Sequence, residues 1–139
     1  MKTKQIALTS KTLKSLPEKV SELVRVLRDN ELTVGFAESC TGGLLSSLVT
    51  EQPGISDVFM GSVVSYDNKV KRSFLKVSKA TLKKEGAVSS AVAKQMAEGA
   101  LKTLEVSVAA AITGVAGQSG GSKEKQVGTV FIAVAGSKS

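Results

Sequence analysis

Between Leu32 and Val49 the hydrophobic pattern changes its period, and that change restricts the possible folds more than any other feature. Leu32-Thr33-Val34-Gly35-Phe36 is a short apolar run with β character, whereas Leu44-Leu45-Ser46-Ser47-Leu48-Val49 carries its leucines at helical spacing. Between them lies the polar cluster Ala37-Glu38-Ser39-Cys40-Thr41-Gly42-Gly43. A strand that turns directly into a helix leaves free backbone N–H groups at the helix N-terminus, which suit a carboxylate, a phosphate or a developing oxyanion. Ser39 and Cys40 stand beside those donors, and Gly42 and Gly43 let another group approach closely.

The same alternation runs along the chain. Ser15-Leu16-Pro17-Glu18 offers an N-cap with an acid three residues later, and Val20, Leu23, Val24 and Leu27 follow on one helical face, so a helix is expected to end near Asn30. A strand at about 32–37 and a helix from about Thr41 to Glu51 come next, and Gln52-Pro53-Gly54 breaks that helix. Val58 to Tyr66 reads as a second strand, and Asp67-Asn68 opens a short helix through Leu75. Ser78 caps another short helix closed by Gly86, and Ser89 opens a longer one bearing Val92, Met96, Ala100, Leu101 and Leu104. Val106 to Thr113 is a continuous run of small apolar residues, as in a strand buried on both faces. A glycine-rich loop and a last strand from about Gly128 to Ala135 complete the pattern, which predicts a three-layer α/β/α sandwich. Residues 1 to about 14 are a polar lead-in, and nothing marks a second domain within residues 1–139.

Histidine is absent, which removes every Ser-His-Asp triad, Cys-His dyad and His-based metal site within one chain. An acyl-transfer enzyme built on this chain must take its base from Lys, Tyr or a carboxylate. A single cysteine excludes an internal disulfide, and no apolar run approaches the roughly 18 residues of a membrane span, so a cytoplasmic protein without a membrane partner is expected. The net charge of +7 permits an anionic partner, yet the absence of Trp, the single Tyr and the dispersed basic residues argue against a nucleic-acid surface.

Three polar clusters fall where strands end, the position at which open α/β sheets bind ligands: Glu38 to Gly43, Tyr66 to Lys71 and Thr113 to Gly121. Ser39 is a candidate nucleophile with N–H donors around Thr41 to Gly43; Ser39 or Thr41 as a plain helix N-cap is the other reading. Cys40 lacks a histidine partner and is read as a buried structural thiol. Lys69 and Lys71 lie on different sides of their helix, so only one of them can face a site. A desolvated lysine has a lowered pKa and can act as the base for a serine; Lys71 is the candidate, with Lys69 or Arg72 expected to add repulsion, and a solvated surface lysine is the alternative. Thr113 to Gly121 has the composition of a phosphate cradle, but it matches neither G-x-G-x-x-G nor a Walker A motif, and a strand follows it.

Ala37 to Gly43, Gly86-Ala87-Val88-Ser89, Met96 to Ala100, Thr113 to Gly117 and Glu124 to Val130 together resemble the C-terminal domain of the competence/damage-inducible protein CinA, a family that includes stand-alone nicotinamide mononucleotide amidohydrolases. The resemblance covers roughly residues 18–135. It implies an α/β/α sandwich on a mixed five-stranded sheet, a homo-oligomer, and hydrolysis of the carboxamide of nicotinamide mononucleotide to nicotinate mononucleotide and ammonia with no metal or other cofactor. It also implies that Ser39, Tyr66 and Lys71 are catalytic and that Thr113 is a site residue. Together with the local reading, this gives Thr41, Gly42, Gly43, Thr113, Gly114, Ala116 and Gly117 as the expected substrate-binding set. Ser39 would attack the amide carbon, Lys71 would take its proton, and Tyr66 would support the transfer.

Family members typically have Tyr-Ser-Asn-Glu-Ala-Lys where this chain has Tyr66-Asp67-Asn68-Lys69-Val70-Lys71, and proline at the positions of Gln118 and Gln126. They also continue past the last strand into a further strand, a Gly-Asp-Arg element and a helix, so the domain is expected to be truncated at its C-terminal end relative to the family. The alternative function is a catalytically silent member that binds a nucleotide or a protein.

Overall fold

Strand β1 (Val34–Glu38) is buried at every position, because it pairs with a strand on each side and is covered on both faces. It runs parallel to β2 (Phe59–Val64), with Phe36 opposite Ser62, and parallel to β3 (Val108–Gly114), with Phe36 opposite Ala110. Strand β4 (Val130–Gly136) pairs antiparallel with β3, which gives a mixed sheet of order β2-β1-β3-β4. The computed structural model describes residues 14–117 and 121–137, and these carry four strands. The lead-in before residue 14 and positions 118–120 of the glycine-rich loop, Gln118 included, lie outside the described residues.

Helices cover both faces, as a three-layer arrangement requires. On one side α3 (Asn68–Leu75), α4 (Lys79–Glu85) and α5 (Ser90–Thr103) enclose Ala37, Leu75, Val92, Met96, Ala100 and Ala111. Burial of Leu75 and Met96 contributes about 1.5–3 kcal/mol each. Helix α5 lies close to the end of α3: a Cβ on Gly99 would come within 2.0 Å of the Leu75 carbonyl oxygen. On the other side α1 (Leu16–Asp29) and α2 (Leu44–Thr50) pack Val24, Leu27 and Val49 against Phe36 and Val58. The Phe36 and Phe59 rings add a tilted contact with centroids 5.2 Å apart.

Three of the expected caps are present. Asp67 accepts from the Lys69 amide, Ser78 from Thr81 and Ser89 from Val92, each contact fixing a helix start by about 1 kcal/mol. Ser15 makes no such capping bond; its backbone is already helical. Helix α2 begins at Leu44 rather than Thr41, because Gly42 and Gly43 take positive φ values of 58° and 107°. Strand β2 stops at Val64, so Tyr66 lies on the link to α3 instead of ending the strand.

Strand β3 also departs from expectation. Ala109, Ala111 and Thr113 are buried, whereas Val108, Ala110 and Ile112 are only half-buried. The cause lies beside it: helix α5 packs on one face of β3 and β4, while on the other face Val130, Ile132 and Val134 of β4 are exposed. Among the described residues, no helix is long and apolar enough to cross a membrane.

Candidate active site

All three parallel strands end on one side of the sheet, and the polar clusters gather there. The first is organised by Glu38, which is fully buried. Its Oε2 accepts from the Thr41 hydroxyl at 2.7 Å, the Gly43 amide at 3.1 Å and the Leu45 amide at 3.0 Å. Its Oε1 accepts from the Ser46 amide at 2.9 Å and the Ser46 hydroxyl at 2.5 Å. Burial pushes this carboxyl up, but the donors from Ser46, Thr41 and Leu45 outweigh that effect, so its pKa lies below the ordinary value. Glu38 therefore occupies the N-terminus of α2 and holds the loop behind Ser39 in one shape.

This alters the donor set expected from the sequence. The Gly43 amide is engaged by Glu38 and the Gly42 amide donates to the Ser39 carbonyl at 3.2 Å. Gly42 and Gly43 thus support the loop from behind. The Cys40 and Thr41 amides, which lie closest after Ser39 in the chain, carry no such bond and approach the Cys40 thiol.

Lys71 comes from the first turns of α3 and is 1% exposed. Its Nζ donates to the Ser39 Oγ at 3.0 Å, to the Ser65 carbonyl at 2.7 Å and to the Tyr66 carbonyl at 2.9 Å. Desolvation lowers its pKa, against a weaker upward pull from Asp67 and Cys40; Lys69 and Arg72 are not among the causes. Lys69 is exposed on another side of the helix, as the spacing predicts. An ammonium has three N–H donors, and a neutral amine has two and a lone pair. With two carbonyls holding two N–H bonds, the third position of neutral Lys71 is a lone pair facing the Ser39 hydroxyl.

A cavity of about 190 Å³ is lined by Ser39, Cys40, Tyr66, Lys71, Ala87 and Val88, with Thr113, Gly114, Ala116 and Gly117. The structure therefore brings Ser39, Tyr66, Lys71, Thr113, Gly114, Ala116 and Gly117 to one place, and leaves Thr41, Gly42 and Gly43 outside the lining. Gly114 has no room for a side chain, since a Cβ would lie 2.8 Å from the Thr129 carbonyl oxygen and 3.2 Å from the Cys40 Sγ. Thr113 is buried and its hydroxyl donates to the Ala87 carbonyl at 2.9 Å, which fixes the wall made by Ala87 and Val88. Cys40 is half-buried at the cavity instead of enclosed in the core, and burial pushes its thiol up, so it stays protonated at neutral pH. A larger cavity of about 350 Å³ between α3 and α5, lined by residues such as Lys76, Glu98 and Lys102, has no nucleophile paired with a base.

Sequence reasoning gave Glu38, Ser65, Ala87 and Val88 no role. An acid at the end of a buried strand, followed by Thr41 and Ser46, was the available signal for Glu38. Ser65 and Ala87 act through backbone carbonyls, which side-chain identity does not reveal.

Comparison with known proteins bears on the family and the fold. The CinA-like protein of Thermotoga neapolitana is 53% identical over 116 residues, covering 83% of this chain and 28% of the relative. That of Leptospira interrogans serovar copenhageni is 50% identical over 121 residues, covering 87% and 29%. The chain thus spans under a third of these relatives. Among solved structures, the competence/damage inducible protein CihA from Agrobacterium tumefaciens superposes with a TM-score of 0.86 at 39% identity, covering 95% of this chain and 78% of that one. A competence-damaged protein (CinA) superfamily protein from Escherichia coli gives 0.85 at 32% identity, covering 94% and 75%. Residues 16–139 match the CinA C-terminal domain, and the chain belongs to that family.

Proposed function

We propose that this protein is a Ser-Lys amidohydrolase acting on the carboxamide of a pyridine mononucleotide, nicotinamide mononucleotide being the reference substrate. The observation that carries this reading is the 3.0 Å contact between the buried Lys71 Nζ and the Ser39 Oγ. Ser39 Oγ attacks the amide carbon while its proton passes to the lone pair of neutral Lys71. The Cys40 and Thr41 amides stabilise the oxyanion, since Gly42 and Gly43 donate elsewhere. Collapse of the intermediate returns the proton from Lys71 to the leaving nitrogen, which departs as ammonia and leaves an ester on Ser39. Water gives one proton to Lys71 as it attacks that ester; Lys71 passes that proton to Ser39 as the acyl–oxygen bond breaks, and the released acid loses its remaining proton to solvent.

The cavity, at about 190 Å³, lies below the roughly 300 Å³ at which pockets for whole ligands begin, so it suits the pyridine-carboxamide end alone. Ribose and phosphate extend past the exposed Ala116 and Gly117 at the start of the glycine-rich loop. Incubation with nicotinamide mononucleotide should release ammonia in wild type and none in Ser39→Ala, while Ser39→Ala still binds. A wild type that binds but releases no ammonia is a binding module, and the enzyme reading is then wrong.

A further inference from the structure

The link between α4 and α5 makes one wall of the cavity through Ala87 and Val88. Three consecutive carbonyls at this link are each held by a different side chain. The Glu85 carbonyl accepts from the Lys125 Nζ at 2.5 Å, the Gly86 carbonyl from the Ser89 Oγ at 3.0 Å and the Ala87 carbonyl from the Thr113 Oγ1 at 2.9 Å. The Ala87 and Val88 amides, by contrast, have no hydrogen-bond partner among the described residues. Two unpaired donors at a cavity suit an acceptor brought by a ligand.

Of the three ties, the one from Lys125 reaches furthest along the chain, and both of its ends are prepared for it. The Lys125 amide donates to the Ser122 Oγ at 3.1 Å, and its carbonyl accepts from the Ser122 amide at 2.9 Å. The same limb is fastened just past β3, where the Gly128 amide donates to the Val115 carbonyl at 2.7 Å. At the other end Gly86 takes a φ of 74°, and a Cβ there would lie 3.2 Å from the Lys125 Nζ, so the ammonium sits directly against the joint on which the wall turns. A helix C-terminus leaves carbonyls without amide partners, and a cation is a favourable cap for them. We propose that Lys125 is a positioning residue: it ties the limb that returns to β4 onto the end of α4, and so holds the wall made by Ala87 and Val88 with its amides open to the ligand. This deepens the amidohydrolase reading, on which it rests for the identity of the ligand, and gives a role to a lysine that touches no reacting atom.

Dissociation constants for nicotinamide mononucleotide and for its nucleoside, which lacks the phosphate, separate a tie to the wall from a contact with phosphate. Lys125→Met should weaken both ligands about tenfold, as the loss of one hydrogen bond from a charged donor implies. Lys125→Arg, which keeps a cationic donor, should stay within about threefold of wild type, and Lys123→Met, which removes an exposed lysine of the same loop, within about twofold. In steady-state ammonia release by Lys125→Met, KM should rise with the dissociation constant while kcat changes less, whereas a merely destabilised fold would lower kcat and leave KM. Unchanged binding in Lys125→Met overturns the proposal, as does a loss confined to the mononucleotide, an equal loss in Lys123→Met, or failure of Lys125→Arg to restore binding. A lowered kcat with KM unchanged also overturns it, and so does a nucleoside that does not bind wild type, which assigns the affinity to phosphate. If Lys125→Met weakens both ligands but wild type releases no ammonia, the positioning role stands and the hydrolase reading falls. If neither ligand binds wild type, both fall.

Discussion

Lys71 has an acceptor for each of its donors when charged and a lone pair directed at Ser39 when neutral, and this double fit is what the proposed proton transfer requires. Removal of either member should remove the same step. Ser39→Ala and Lys71→Met are each expected to lower turnover by about 10³-fold or more, and the double variant should cost little beyond either, since residues that act as a unit are non-additive. Steady-state ammonia release checks this, and additive losses would separate the pair. Lys69→Met should stay within about twofold, as its side chain is solvated on another side of α3. Ser39, Tyr66 and Lys71 were legible in the sequence as residue types at strand ends, reinforced by a family resemblance. Glu38 was not, because its role depends on a loop that folds back by eight residues to bring Ser46 onto its carboxylate. For the same reason the Gly42 and Gly43 amides, expected among the donors from Thr41 to Gly43, are engaged within the loop.

At the scale of elements, Glu38 does for α2 what Asp67, Ser78 and Ser89 do for later helices, but from the preceding strand and with a full charge. Glu38→Ala leaves the Gly43, Leu45 and Ser46 amides without this partner and should destabilise the fold by about 2–4 kcal/mol. Glu38→Gln places an NH₂ among donors and should cost about 1–3 kcal/mol. Denaturant midpoints measure both. The pH dependence has a definite sign. Since the folded pKa of Glu38 lies below its unfolded one, the unfolded chain takes up the proton first as pH falls. The contribution is complete above the unfolded carboxylate range and is lost as pH falls through the folded pKa, so wild type should lose stability on acidification more steeply than Glu38→Gln. Where α3 meets α5, Gly99→Ala forces a Cβ against the Leu75 backbone and should cost about 2 kcal/mol or more. It should also reduce turnover, because Lys71 lies one turn before Leu75 on α3. The caps and periodic faces that fixed these helices were readable locally; the close approach of α3 and α5 was not, since glycine inside a helix carries no record of what crosses it.

At the scale of the molecule, the expected three layers are present around β1, but the face of β4 bearing Val130, Ile132 and Val134 is open. The small apolar run of β3 suggested cover on both faces because residue type alone cannot distinguish a strand covered by its own helices from one covered on a single side. An exposed apolar row on an edge strand is a surface that proteins usually hide. We propose that a second copy covers it, so light scattering should give a dimer or larger species, and Ile132→Glu should give a folded monomer. A stable wild-type monomer at micromolar concentration would contradict this. The central claim concerns the site where β1, β2 and β3 end, and one measurement addresses it most directly: kcat/KM for ammonia release from nicotinamide mononucleotide as a function of pH. Desolvation lowers the pKa of Lys71, so the rate should rise with pH through one ionisation below the ordinary lysine range and then level off, with Ser39→Ala flat at background. A rate independent of pH across that range, or one that climbs only where ordinary lysines titrate, would contradict Lys71 as the base for Ser39.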